Sequence, residues 1–99
     1  MSHNEIQRIA NEEVDYAIST IPDMVKLFKN PAVVRGHMNI HSESDFYLGA
    51  AWATANDYFT LDFTRKFHRS PDFKEISIMA TALYSRNLEL RQAISDASI

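Results

Sequence analysis

Apolar residues at Ile6, Ala10, Val14, Ala17, Ile21, Met24 and Phe28 recur at spacings of four and three. That recurrence lines one face of a helix and predicts a partner helix against it. Ser2, followed three positions later by Glu5, forms a capping-box pair, so the helix is expected to begin there. Pro22 falls inside the run, where it deletes a backbone hydrogen bond and crowds the preceding turn at a cost of about 3 kcal/mol in a continuous helix. Thr20 and Asp23 offer a second capping box at the same point, which predicts a kink or a restart near Thr20 with the apolar phase kept across it.

Periodicity lapses over 30–42, where Pro31 and Gly36 appear, and this stretch reads as the main connection, with room for one short turn after Pro31. Ser42 with Asp45 is the third helix start. The helix that follows is expected to run to about His68, roughly 40 Å at the usual rise, and to be central to the fold. Leu48, Trp52, Ala55, Phe59, Phe63 and Phe67 form one stripe along it, and Tyr47, Ala51, Tyr58 and Leu61 form another, so two neighbours are expected. Its remaining side, Gly49, Ala53, Asn56, Asp57, Thr60 and Thr64, is small and polar, and suits either water or a closely approaching helix.

The run from Arg69 to Asp72 reads as a restart, with Ser70 as N-cap, Pro71 in the first helical position and Asp72 on the positive end of the dipole. One last helix is expected to about Ser95, with a stripe of Phe73, Ile76, Ala80, Leu83, Asn87, Leu90 and Ile94, widened by Met79 and Tyr84. No internal repeat or low-complexity segment occurs. The fold class expected is all-α: a single domain over residues 1–99, a small bundle of three to four helices completed by dimerisation.

Composition sharpens this in three places. Two glycines and three prolines are too few for a many-stranded β protein. The absence of cysteine excludes disulfides, thiolate catalysis and cysteine-rich zinc sites, and the formal net charge of −3 gives no overall pull toward nucleic acid or an anionic membrane. No apolar signal region opens the chain and no apolar run reaches 18 residues, so no membrane association is expected and a cytoplasmic chain is the default.

Function has to be read from constellations, and few stand out. An aromatic central helix with small residues beside it carries more apolar surface than one short chain is expected to wrap. The leading expectation is therefore a non-enzymatic interaction or assembly protein that docks on itself or on a larger subunit. The interface residues expected are Gly49, Ala53, Trp52, Phe59, Phe63 and Asn87, with Asn87 a candidate for fixing register. The alternative is a small-molecule- or metal-binding bundle with an aromatic pocket near Trp52, Tyr58, Tyr84 and Asn87. His37 and His41, four apart, with Glu43 behind them, are weak candidates for a divalent metal, weak because no helical pattern fixes their geometry. Arg65, Lys66 and Arg69 gather just before Ser70, where cations beside unpaired amides make an anion pocket; simple compensation of a helix C-terminus explains them as well. No catalytic motif and no cofactor is expected.

Overall fold

The computed structural model describes residues 3–28 and 42–98, and these form four helices: α1 (His3–Phe28), α2 (Glu43–Phe67), α3 (Phe73–Ser85) and α4 (Asn87–Ala97). The all-α bundle is the architecture that the periodicity predicts. The Ser2 cap, the turn after Pro31, and His37 and His41 lie outside the described residues.

The hub is α1 rather than α2, because α2, α3 and α4 all pack against it. Ile6, Ile9, Ala10, Val14, Ala17, Ile21 and Val25 are buried along it, and the alanines at 10 and 17 let neighbouring backbones come close. No restart occurs at Pro22: α1 runs through it. The Thr20 hydroxyl donates back to the Ala17 carbonyl at 2.8 Å, and Ser19 does the same to Tyr16 at 2.6 Å, so no side chain there turns to cap a new helix. Pro22 itself is exposed, while Ile21 and Val25 are fully buried, and their packing offsets the bond that the proline removes.

Ser42 caps α2 as its sequence predicts, accepting a hydrogen bond from the Asp45 amide. Buried on α2 are Tyr47 and Ala51 from one predicted stripe and Ala55, Phe59 and Phe63 from the other, while Tyr58 and Leu61 of the former are exposed. Trp52 and Phe67 are partly buried beside them, and α2 packs against α1 and α4, with a smaller contact to α3. The helix ends at His68 in the left-handed region, φ 57°, where its amide bonds the Thr64 carbonyl.

The last segment departs from the sequence reading twice. Its N-cap is Asp72 rather than Ser70, because Asp72 and Glu75 form a reciprocal capping box: the Glu75 amide bonds Asp72 Oδ1 at 2.9 Å and the Asp72 amide bonds Glu75 Oε1 at 2.8 Å. A cap at Ser70 would have Phe73 three positions on, which cannot answer. The segment also breaks at Arg86, φ −109° and ψ 19°, into two helices. The Arg86 guanidinium reaches the Asn11 carbonyl at 3.1 Å and Asp15 at 2.6 Å on α1, and Glu89 at 2.9 Å on α4, which ties the break to the hub.

Candidate functional site

Phase on α3 decides where the free apolar surface lies. Glu75 is buried at the start of α3, held by a two-pronged pair with Arg69, both nitrogen–oxygen distances being 2.8 Å. With Glu75 inside, Met79, Ala82 and Leu83 follow it into the core one and two turns later. Phe73, Ile76, Ala80 and Tyr84 are thereby turned outward, so the predicted last stripe is corrected: of its members Met79, Leu83, Leu90 and Ile94 enter the core. The exposed line is strongly apolar. Phe73 is 83 % exposed, Ile76 45 %, Tyr84 78 %, and Leu88, just beyond the break, 83 %. An exposed apolar patch on this scale is often a functional surface.

The interface expected on α2 is corrected in part. Phe59 and Phe63 are 1 % and 0 % exposed, enclosed by the chain itself, and present nothing to a partner. α1 on one side and α4 on another cover the aromatic line that was expected to outgrow a single copy. Gly49 and Ala53 do face outward, and a Cβ built on Gly49 meets no atom within 4 Å. Trp52 is partly buried, with its indole nitrogen enclosed and, among the described residues, unpartnered. Asn87, half-buried at the first position of α4, has its Oδ1 in the same condition.

The anion pocket is not assembled. Lys66 pairs with Glu5 on α1 at 2.5 Å, and Arg69 is committed to Glu75 while its guanidinium lies 5.0 Å from the centre of the Phe63 ring. Ser70 lies in the loop before the cap, Arg65 is exposed, and the amides at the start of α3 are already served by the Asp72–Glu75 box. The Arg69 guanidinium, more than any other group, holds the Glu75 carboxyl down to about 2 against the opposing cost of burial. The electrostatic work of this corner is structural.

The aromatic pocket is not assembled either. Tyr58 packs edge-on against Tyr16 of α1, ring centres 4.7 Å apart, whereas Tyr84 stands on the outer face of α3. Of the metal candidates only Glu43 is described; it is exposed in the first turn of α2, and no group of three metal-ligating side chains occurs among the described residues.

Two features escaped the sequence reading. Glu13 is buried on α1 and hydrogen-bonded to Asp62 of α2; burial first, then that bond, pushes its pKa up to about 8. Glu13 is off the apolar stripe by residue type, although its place one position before Val14, between Ile9 and Ala17, marks it as inward-facing. A groove of about 240 Å³ also opens between α1 and α3, with His3, Gln7 and Asn11 along one wall and Ser77, Thr81 and Ser85 along the other. These hydroxyls donate to carbonyls of their own helix, to Phe73, Ser77 and Ala82 respectively, so what they turn to the groove is lone pairs.

No helix among the described residues is long and apolar enough to cross a membrane. Compared with models of protein families, with curated proteins and with solved structures, the chain matches none.

Proposed function

We propose that this protein is a non-enzymatic helical assembly protein that works by docking an apolar helix face on another protein surface, its partner a second copy of the chain. The observation that carries the reading is the line Phe73, Ile76, Ala80 and Tyr84 with Leu88 beyond it, apolar and open to solvent; Tyr16, Leu27, Tyr58 and Leu61 on α1 and α2 are also exposed, and all but Leu27 to about half the extent of Phe73, Tyr84 and Leu88. The docking surface thus moves from the small-residue side of α2 to the outer side of α3. Its exposed side chains present roughly 500 Å² of apolar area. Two copies face to face remove roughly 1,000 Å² from water before the polar rim is added, the lower bound for a specific interface and the range of weak, concentration-dependent association.

Sedimentation equilibrium from micromolar to millimolar concentration tests the reading. The expected mass rises with concentration from the monomer's 11.4 kDa toward twice that value. A mass fixed at the monomer value throughout contradicts it.

The ligand-binding alternative now draws its support from the α1–α3 groove rather than from the aromatic residues. An uncharged wall of lone pairs suits a donor-rich ligand such as a small diamine. Titration with 1,4-diaminobutane, followed by amide shifts at Asn11 and Thr81, tests it: saturable shifts confined to the groove favour this reading, and their absence removes it.

A further inference from the structure

We infer that Tyr16 of α1 and Tyr58 of α2 form an oxidative cross-linking site, at which a one-electron oxidant joins the two rings as a dityrosine and staples the first two helices together. The inference is independent of the assembly reading above. The chain has no cysteine, so no thiol takes up oxidising equivalents, and the phenols and the single indole are its principal one-electron donors. Its four tyrosines differ in situation. Tyr47 is buried and Tyr84 is exposed on the outer side of α3. Tyr16 and Tyr58, 42 % and 40 % exposed, are open to an oxidant and in contact with each other, ring centres 4.7 Å apart.

Contact alone does not make a coupling pair, because the carbons that join are the ring neighbours of the one bearing the hydroxyl. The Tyr16 hydroxyl is hydrogen-bonded to Tyr58, which brings the hydroxyl ends of the two rings together and sets those carbons beside one another. That bond is also the first cause of a Tyr16 pKa above its ordinary value, so Tyr16 stays a neutral phenol at physiological pH. The rings meet edge-on, at 66°. Exposed side chains reorient in picoseconds to nanoseconds, so the turn from this contact to a bonded geometry is not limiting.

The chemistry balances as follows. Each tyrosine gives one electron to the oxidant and its phenolic proton to water. The two phenoxyl radicals form one carbon–carbon bond between the positions beside their oxygens. Each joined carbon then releases its hydrogen as a proton while its oxygen takes one up, and both rings become phenols again. The chain loses two electrons and two protons, and two equivalents of oxidant are reduced. The product closes a loop from position 16 to position 58, and such a link restricts the unfolded chain far more than the folded one.

The experiment irradiates the micromolar protein with photoexcited tris(bipyridine)ruthenium and limiting persulfate, with circular dichroism as the folding control. The expected product has the monomer mass less two hydrogens, shows dityrosine fluorescence, melts at a higher temperature than the parent, and yields on digestion a peptide carrying Tyr16 joined to one carrying Tyr58. Tyr16→Phe and Tyr58→Phe keep the ring and remove the phenol, and each should lower the yield of this product roughly tenfold or more, as should unfolding the parent in urea before irradiation. Tyr84→Phe should leave it unchanged. A monomer-mass link that survives in Tyr16→Phe would overturn the site. Links found solely between two chains, or an oxidised parent carrying no dityrosine at all, would overturn it as well, and peptide mapping on the parent decides this even where a variant fails to fold.

Discussion

Replacing Glu13 by glutamine should make the protein more stable above neutral pH and remove most of its alkaline sensitivity. The Glu13 carboxyl is buried against Asp62 with a pKa near 8, against an ordinary value of 4.5. Between those two values the folded chain holds a proton that the unfolded chain has lost, so stability falls as pH rises across this window. At 1.36 kcal/mol per unit, the 2.5 units between 4.5 and pH 7 amount to roughly 3 kcal/mol before screening. Asp62 is only half-buried, and solvent around it brings the expected loss to about 1.5–2 kcal/mol. Glutamine keeps a donor for Asp62 and has nothing to ionise. Urea unfolding at pH 5, 7 and 8.5 reads both chains. The parent should lose stability across the series, the Glu13→Gln chain should stay nearly level, and the two curves should cross. A parent whose stability is flat over this range, or a variant that keeps the parent's slope, would refute the protonated pair.

At the acid end the sign reverses. Glu75, held near 2 by Arg69, contributes stability that is complete above about pH 4.5 and is lost as pH falls toward 2, so Glu75→Gln should lower stability at pH 7 and flatten the acid limb of a pH–melting curve. Equal acid limbs in the two chains would count against the pair. His68 occupies a left-handed position that costs a residue with a side chain about 1 kcal/mol, so His68→Gly should raise the melting temperature by a few degrees, and a drop would show that the imidazole has a role the cap does not explain. Gly49→Ala should add roughly 0.5–1 kcal/mol, since helix propensity improves and the new methyl meets nothing, without changing self-association. Weakened association in that variant would return the docking surface to α2.

How far the sequence was legible follows from which physical signals are local. The stripe of α1, the Ser42 cap and the aromatic line of α2 depend on spacing and on one side chain, and they are visible in the chain itself. A restart at Pro22 follows from a local penalty, whereas the packing of Ile21 and Val25 that offsets it is tertiary. At α3 two caps compete, Ser70–Pro71 and Asp72–Glu75, and the reciprocal box was open to a closer reading. Its consequence was not, because burying Glu75 requires Arg69 from the preceding loop, and that burial fixes which side of α3 faces in. Phe59 and Phe63 differ from the interface expectation for a related reason: spacing makes α2 look central, whereas α1 is the hub that closes over them. The Arg86 break depends on Asn11 and Asp15, more than 70 positions away, and spacing carries no trace of it.

Sedimentation equilibrium of two surface variants, Tyr84→Asp and Ala53→Glu, tests the central claim most directly, because each places a charge on one of the two candidate faces and neither touches the core. The account predicts that Tyr84→Asp remains at the monomer mass across the concentration range while Ala53→Glu associates like the parent. Association lost in Ala53→Glu and kept in Tyr84→Asp would contradict it.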